Sequence, residues 1–246
     1  MKIKRLASAL GAEVRGLDLA EVGTDEARQI EGLLREYHVV LFPDQSLTSD
    51  QHIALGEHFG ELQAHPHLVN LVGEHEKILE LHSDRGGVAD EWHSDLSFLP
   101  EPGLVSILKM VKCPEVGGDT LWANLCLAFE ALSDPLRDLC EGLSALHNAE
   151  PHGRPEVMTV HPMVRVHPET GRKVLFVNEH FTRRIVELSA NESDLLLGYL
   201  KTWVASPRFC VRYRWEQGTV AMWDNRCTQH MVLNDFEGER VIQRVT

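Results

Sequence analysis

Apolar residues in the first quarter of the chain recur at the three- and four-residue spacing of an amphipathic helix. The residues on this face are Ala27, Ile30, Leu33, Leu34 and Tyr37. An acidic first turn at Asp25 and Glu26 precedes them, as is usual at a helix N-terminus. A second helix is predicted to begin at Thr48, because Gln51 completes a capping box, and to end near Gly60. Three further helices are predicted to begin near Asn124, Ser133 and Ser189.

Elsewhere the apolar residues form short runs that are typical of strands. These runs are Val39 to Phe42, Val105 to Met110, Thr120 to Ala123, Met163 to Val166, Lys173 to Val177, Phe209 to Trp215 and Thr219 to Trp223. Short strands that do not alternate regularly with helices favour a mainly β fold with flanking helices. They predict an antiparallel barrel or jelly roll rather than a parallel doubly wound sheet. No composition break marks a linker, so residues 1–246 are predicted to form a single domain.

The chain is acidic, with a formal net charge of −13. An acidic surface attracts neither a phosphate backbone nor an anionic bilayer, so no nucleic-acid or membrane partner is expected. A small organic anion is compatible with the sequence, because a few local arginines can override the net charge. No segment approaches the roughly 20 apolar residues of a membrane span.

The cysteines and the N-terminus indicate a cytoplasmic protein. The cysteines are Cys113, Cys126, Cys140, Cys210 and Cys227. Their odd number and the lack of a Cys-x-x-Cys spacing fit reduced thiols better than a disulfide framework or a zinc site. The first residues imitate a signal peptide, but their apolar run is short and is interrupted by Ser8 and Gly11. The sequence leaves the oligomeric state open, and a homo-oligomer is compatible with it.

Two His-x-Asp tripeptides compete as parts of a metal site. His93 and Asp95 stand two residues apart, so in an extended strand their side chains would project to the same side. His82 and Asp84 have the same spacing, but Asp84 runs into a glycine-rich turn signal. We therefore expect the second pair to close a strand at the surface and the first pair to be the candidate site.

A third ligand for such a site is available in the C-terminal segment, which contains His230. Two histidines and one carboxylate on one face of an octahedron leave three positions open, which is the arrangement of non-haem Fe(II) oxygenases. Zinc would prefer a closed or tetrahedral site.

Beyond His230, Arg240, Ile242 and Arg244 would share one face of a strand. Guanidinium groups on an inward face are costly without anions, and arginine binds a carboxylate with two parallel hydrogen bonds. These arginines could therefore bind organic anions. A solvated strand edge is an equally good interpretation from the residues alone.

The candidate residues lie within ordered blocks that resemble the taurine and dichlorophenoxyacetate dioxygenases, which use Fe(II), α-ketoglutarate and O₂. The blocks are Gly-Ala-Glu-Val-Arg-Gly-Leu-Asp-Leu from residue 11, Glu-Trp-His-Ser-Asp from 91, Gly-Gly-Asp-Thr-Leu-Trp-Ala from 117, His-Pro-Met-Val-Arg-Val-His-Pro from 161, Phe-Val-Asn-Glu-His-Phe-Thr from 176 and Met-Trp-Asp-Asn-Arg-Cys-Thr-Gln-His from 222. The resemblance implies a double-stranded β-helix core. It also implies hydroxylation of a small organic anion (sulfonate, sulfate or carboxylate) with release of succinate and CO₂, after which a C–S or C–O bond could break.

Site residues follow from the same resemblance. It implies that the catalytic iron ligands are His93, Asp95 and His230, and that Thr120 and Arg240 bind α-ketoglutarate. The look-alike pair near residue 82 is left outside the site.

The substrate-binding residues implied by the resemblance are His65, Phe181 and Arg244. Leu68 and Ala89 stand where taurine dioxygenase has a tyrosine and an asparagine. The loss of these polar groups predicts that taurine is a poor substrate and that a longer or more apolar acid is a better one.

Two segments depart from the family pattern. The lid segment, residues 148–160, is shorter than in the family, and relatives usually continue beyond the position of Thr246. The chain is either a short member or a sequence whose C-terminal tail is missing.

Other histidines and the tryptophans are interpreted as structural. His147, His152, His161 and His167 are predicted not to form a metal cluster, and Trp122, Trp215 and Trp223 are predicted to be packing aromatics. Two other protein classes are open, a non-catalytic jelly roll that binds a metal or an anion and a metal-dependent hydrolase. An open metal face beside Arg240 and Thr120 disfavours the first. Succinate formation would exclude the second.

Overall fold

Five α-helices flank the sheets of the structure, a computed structural model that describes residues 1–65, 75–85 and 89–246. The helices are α1 (Thr24–Tyr37), α2 (Ser49–Glu57), α3 (Leu125–Glu130), α4 (Asp134–Glu141) and α5 (Ala190–Val204). The predicted starts are confirmed, because the residues that precede these helices as N-caps include Thr48, Asn124, Ser133 and Ser189. Helix α2 ends at Glu57, slightly before the predicted end near Gly60.

Short strands make up most of the remaining structure. They are β1 (Lys2–Arg5), β2 (Ala12–Arg15), β3 (Val39–Phe42), β4 (Leu79–His82), β5 (Val105–Lys112), β6 (Thr120–Asn124), β7 (Ser144–Ala149), β8 (Arg154–Pro162), β9 (Val164–Val166), β10 (Lys173–Leu175), β11 (Thr182–Ile185), β12 (Cys210–Tyr213), β13 (Val220–Asp224), β14 (Thr228–Val232) and β15 (Val241–Val245). The larger sheet has the order β1-β2-β3-β13-β5-β15-β4. Smaller sheets have the orders β12-β6-β14, β11-β7-β8 and β10-β9. Among the described strands nearly all of the pairs are antiparallel, as the sequence predicts, and the exception is β2 with β3.

The centre of the larger sheet is buried on both faces, which β3 shows residue by residue. Val40 and Phe42 pack with the helical face of α1, while Val39 and Leu41 point to the opposite side. There they meet Trp122, whose ring lies against another tryptophan from β13 with the centroids 5.8 Å apart. Strand β6 therefore closes over the larger sheet, which gives the jelly-roll core. The predicted role of Trp122, Trp215 and Trp223 as packing aromatics is confirmed by their burial.

Several strands lie outside the predicted runs, namely β1, β2, β7, β8, β11 and β14. The predicted strand from Met163 is shorter, β9, and the long strand β8 before it was not predicted. Residues 148–160, expected as a shortened lid, form the tip of a hairpin and most of its second strand, with a 3₁₀ turn, Glu150–His152, joining β7 to β8. Similarly, the predicted strand from Phe209 begins with a 3₁₀ turn and ends at Tyr213.

All five cysteines are free of disulfide bonds. Among the described residues, no helix combines the length and apolar character needed to cross a membrane.

Candidate metal centre and flanking arginines

Three predicted ligands, His93, Asp95 and His230, converge in the interior. Asp95 Oδ1 lies 3.7 Å from Nε2 of His93 and 4.0 Å from Nε2 of His230. All three side chains are buried, and their ligand atoms lie within 4.8 Å of one another. The arrangement places two imidazole nitrogens and one carboxylate oxygen around a single point, as a facial metal site requires.

The backbone brings the two histidines together. His93 and His230 form an isolated antiparallel bridge, in which each N–H donates to the other's carbonyl at 3.0 and 2.8 Å. The expectation that His93 and Asp95 share an extended strand is wrong, because Asp95 begins a turn and Leu96 has a φ of 55°. The two side chains still converge, but a tight turn rather than strand alternation directs them.

Hydrogen bonds orient two of the ligands. His93 Nδ1 lies 2.8 Å from the carbonyl oxygen of Glu91, which leaves Nε2 directed into the site. Ser106 Oγ donates to Asp95 Oδ2 at 2.7 Å, so that the other carboxylate oxygen faces the histidines. Partners of this kind fix the tautomer and the orientation of metal ligands.

Electrostatics favour the protonation states that a metal needs. Burial lowers the pKa of both His93 and His230. Burial alone would raise the pKa of Asp95, but the charge of Arg244 and the two histidines outweigh it and hold this pKa well below its usual range. Neutral imidazoles and an ionised carboxylate are the forms that coordinate a divalent cation.

Arg240 is a buried cation beside this cluster. It is 4% exposed, its Nε donates to the carbonyl of Gly118 at 3.2 Å, and its Nη2 lies 3.5 Å from Thr120 Oγ1. Burial lowers the pKa of Arg240 to about 10. Gly117 and Gly118 both have positive φ, and a Cβ on Gly118 would approach the Arg240 side chain to 3.3 Å. The Gly-Gly-Asp-Thr block therefore wraps closely around the guanidinium.

Arg240 lies just before the strand that carries Arg244. Strand β15 begins at Val241, and a register shift separates Val241 from Ile242. The extra residue at this shift is Val111 of β5, and β15 pairs with β4 without a break, so the alternation within β15 is intact. Arg240 contacts Thr120, Ile242 packs with Trp122 and Arg244 contacts Asp95, which confirms the predicted shared inner face. Both arginines are held inside, which excludes the solvated-edge interpretation.

The family assignment rests on the whole length of the sequence. The sequence model of the taurine catabolism dioxygenase TauD, TfdA family matches residues 2–246. The chain belongs to this family. It is accordingly an enzyme, a dioxygenase with the jelly-roll core that the sequence predicts.

Individual members of the TauD/TfdA family support the assignment. The α-ketoglutarate-dependent sulfate ester dioxygenase of Pseudomonas putida is 35% identical over 271 residues, which cover 100% of this chain and 89% of the relative. The crystal structure of a taurine dioxygenase from Burkholderia xenovorans superposes with a TM-score of 0.90 at 38% identity, covering 100% of this chain and 89% of that chain. A second structure, AAD-2 in complex with Mn(II) and N-oxalylglycine, has a TM-score of 0.86 at 28% identity and covers 100% of this chain and 96% of the other.

Residues predicted to bind substrate lie near the TauD/TfdA-type centre. Arg244 Nη1 is 2.5 Å from Asp95 Oδ1, and its Nε is buried without a hydrogen-bond partner among the described residues. The ring of Phe181 meets that of His93 edge to face, with the centroids 6.3 Å apart. His65 borders the same small pocket as Arg244. Their roles toward substrate stay predictions.

Two histidines beside the centre were not assigned to it from the sequence. His180 Nδ1 lies 2.7 Å from a carboxylate oxygen of Glu91, and its ring centroid is 5.7 Å from that of His93. His152, interpreted as structural, lies at the hairpin tip with its ring centroid 5.2 Å from that of His65. The position of His180 beside Phe181 in the Phe-Val-Asn-Glu-His-Phe-Thr block is a usable signal. The sequence around His152 offers no such signal, because only the folded hairpin brings the His152 ring near the centre.

The look-alike pair lies outside the centre, as predicted. His82 ends β4, and its Nε2 lies 2.8 Å from Glu80 Oε1, while Asp84 is exposed in the following turn. Of the two replaced pocket positions, Leu68 lies outside the described residues. The carbonyl of Ala89 accepts a hydrogen bond at 2.9 Å from the N–H of Val232, which lies two residues after His230 in the chain.

Proposed function

We propose that this chain catalyses the Fe(II)- and α-ketoglutarate-dependent hydroxylation of a small organic anion, with release of succinate and CO₂. His93, Asp95 and His230 would hold the iron. They fit this ion because two neutral imidazoles and one carboxylate converge from one side, which leaves positions for other ligands. Bound Fe(II) would supply the dioxygen chemistry, in which α-ketoglutarate is oxidised and a hydroxyl group is transferred to the substrate carbon.

The observation that carries this proposal is the unbalanced charge of Arg240. No carboxylate of the described residues forms a salt bridge with it, although it is almost fully buried. A buried guanidinium without an anion is unfavourable, and its planar donors match a carboxylate. The distal carboxylate of α-ketoglutarate supplies this missing charge, with Thr120 Oγ1 as an additional hydrogen-bonding group. The named α-ketoglutarate dependence of the Pseudomonas putida relative supports this role.

The acidic group of the substrate is assigned to Arg244 and His65. Arg244 has a buried Nε–H without a partner among the described residues, while Nη1 donates to Asp95. An anion bound at Nε would therefore be held close to the ligand Asp95 without replacing its ion pair. Phe181 supplies an apolar edge beside His93. These residues position an anionic head group, and they exclude water from the side of the centre that they cover.

A sulfate ester or an apolar sulfonate is the substrate class that we favour. The sulfate ester dioxygenase of Pseudomonas putida covers this whole chain. Hydroxylation of the carbon that bears a sulfate or sulfonate group yields an unstable product, which collapses to a carbonyl compound and releases sulfate or sulfite. An additional buried methylene contributes about 0.8 kcal/mol, so longer alkyl chains should improve binding until the pocket is filled.

Succinate release tests the proposal directly. Enzyme reconstituted with Fe(II) without oxygen should produce succinate on exposure to air, α-ketoglutarate and substrate. The matched series contains alkyl sulfates and alkyl sulfonates of increasing length, phenoxyacids, alkyl carboxylates and taurine. We expect the longer sulfates or sulfonates to be turned over faster than taurine. Taurine as the best substrate would contradict the proposed class, and the absence of α-ketoglutarate-dependent succinate with every anion would contradict the reaction.

A further inference from the structure

Asn225 connects the two segments that carry the candidate metal ligands. Its Oδ1 accepts a hydrogen bond from the backbone N–H of Asp95 at 2.7 Å. Its Nδ2 donates to the carbonyl of Asp95 at 2.9 Å and to that of Gly103 at 3.1 Å. The side chain is 1% exposed, so these backbone groups replace water as its partners. The side-chain amide of Asn225 thus binds both the N–H and the carbonyl of Asp95, the residue that supplies the carboxylate ligand.

Asp95 begins a conformationally unfavourable turn. Leu96, directly after Asp95, has a φ of 55°, which is uncommon for a residue with a branched side chain. Burial of Leu96 beside Phe98 and Phe181 and a hydrogen bond from the N–H of Leu99 to the Leu96 carbonyl at 2.9 Å contribute to the turn. Surrounding contacts must hold such a conformation in place, and Asn225 makes contacts of this kind at the start of the turn.

The backbone of Asn225 is also held in place, just before the strand that carries His230. Its backbone N–H donates to the carbonyl of Leu104 at 2.9 Å, and it lies in the turn between β13 and β14. Ser94 Oγ donates to the carbonyl of Thr228 at 2.8 Å, which is a second link between the same two segments. Movement of the Asp95 turn relative to His230 therefore requires the loss of several buried hydrogen bonds.

We propose that Asn225 is a positioning residue that sets the affinity of the metal centre by fixing the backbone of Asp95 relative to His93 and His230. Asn225 contacts none of the three ligand atoms. Ser106 orients the carboxylate itself, whereas Asn225 orients the peptide groups from which that carboxylate extends. This role predicts a loss of metal affinity that is separate from any loss of stability.

A matched asparagine provides the control. Asn124 is 3% exposed; its Nδ2 donates to the carbonyl of Ala9 at 2.8 Å and its Oδ1 accepts from the N–H of Leu127 at 2.9 Å. Its burial and hydrogen bonding resemble those of Asn225, but neither partner belongs to a metal ligand. Asn124→Ala should lower the melting temperature and leave the metal affinity unchanged.

The experiment measures Mn(II) affinity by the signal of free Mn(II) in electron paramagnetic resonance, with the melting temperature recorded for every variant. Mn(II) is redox-stable and is bound by the related AAD-2. Asn225→Ala should weaken Mn(II) binding roughly 10- to 100-fold, as is typical for groups that support metal ligands. Asn225→Asp keeps an acceptor for the N–H of Asp95 but loses both donors, so its affinity should lie between those of Asn225→Ala and the parent.

Each outcome decides the proposal. Folded Asn225→Ala and Asn225→Asp proteins that bind Mn(II) within threefold of the parent would overturn it. Failure of both variants to fold would also overturn it, because the role of Asn225 would then be structural. His93→Ala is the reference for loss of the centre, and parent-like Mn(II) binding by this variant would refute the ligand set instead. The test needs no turnover, so a wrong substrate or reaction in the proposed function would not affect its result.

Discussion

Two buried clusters of similar composition differ in the lone pairs that they leave free. The first is the candidate centre of His93, Asp95 and His230, and the second consists of His167, Asp224 and Cys227. All six residues are buried, and each cluster contains a carboxylate whose pKa is held below its usual range. Residue type and burial alone would describe both as possible metal sites.

Hydrogen bonds close the second cluster. The Asp224 carboxylate accepts from Arg226 through Nε at 2.9 Å and Nη2 at 2.6 Å, and from His167 Nε2 at 2.9 Å. The Nδ1 of His167 accepts from the N–H groups of Glu169 and Thr170 at 3.3 and 3.2 Å, which assigns the proton to Nε2. His167 therefore offers no lone pair on that side, while the Nε2 atoms of His93 and His230 face one another across Asp95. Free donor lone pairs, rather than the residues present, distinguish the metal centre.

The sharpest test of this difference removes one ligand. His93→Ala deletes an imidazole donor of the open cluster, so Fe(II)- and α-ketoglutarate-dependent succinate release should be abolished. His82→Ala changes the other His-x-Asp pair, whose histidine faces Glu80, and should keep most of the activity. Bound iron and turnover are measured on both folded variants. Equal losses in the two would show that the ligand assignment is wrong.

The arginines beside the two clusters differ in whether a carboxylate balances their charge. Arg226 is paired with Asp224 and Glu169, whereas Arg240 has no carboxylate partner among the described residues. Arg240→Ala should weaken α-ketoglutarate binding by about 2 to 5 kcal/mol, because it removes one side of a buried charge pair in the complex. Calorimetric titration of the metal-loaded variant measures this loss. An unchanged affinity for α-ketoglutarate would move this role to another residue.

Removal of a histidine from the closed cluster should affect stability alone. His167→Ala leaves the Asp224 carboxylate with Arg226 as its main partner and deletes a buried hydrogen bond. The expected loss in the free energy of unfolding is about 1 to 3 kcal/mol. Denaturant unfolding and Mn(II) titration are measured together. If the loss of stability is absent and Mn(II) affinity falls instead, the two clusters are coupled in a way that their hydrogen bonds do not explain.

The sequence predicted those helices and strands that are defined by neighbouring residues. The capping box at Thr48 and Gln51 forms as predicted, and β3 has the predicted bounds because its run of four apolar residues is buried on both faces. Strand β8 was missed, because six of its nine residues are exposed and its composition, Arg-Pro-Glu-Val-Met-Thr-Val-His-Pro, lacks regular alternation. Its pairing with β7, rather than its own sequence, defines it.

The site was only partly predictable for a related reason. The residues alone suggested His93, Asp95 and His230 as candidates, and the family resemblance selected them. The turn at Asp95 was not predictable, because the left-handed conformation of Leu96 depends on contacts such as those from Asn225, 130 positions away in the sequence. The closed nature of the second cluster likewise depends on the proton of His167, which backbone groups of a neighbouring turn determine.

The smallest expected effect concerns His52, a histidine outside the metal centre that should make the fold less stable in acid. His52 is fully buried, its Nε2 lies 3.1 Å from the carbonyl of Ile107, and burial lowers its pKa to about 4. In the unfolded chain the same group has an ordinary pKa near 6.5. Below that pH the unfolded state binds more protons than the folded state, so the contribution of His52 to stability is complete above pH 6.5. It is lost progressively as the pH falls toward about 4.

His52→Gln removes the titrating group and retains a side chain that can donate to the Ile107 carbonyl. Between pH 7 and pH 5.5 the parent should lose about 1 kcal/mol of unfolding free energy more than this variant, since one pKa unit corresponds to about 1.4 kcal/mol. Urea unfolding of the metal-free proteins at both pH values measures the difference. The same slope in parent and variant would assign the acid sensitivity to other groups. Because His52 touches none of the three ligands, a change in the pH dependence of Mn(II) binding in this variant would show that the helix α2 side of the molecule influences the metal centre.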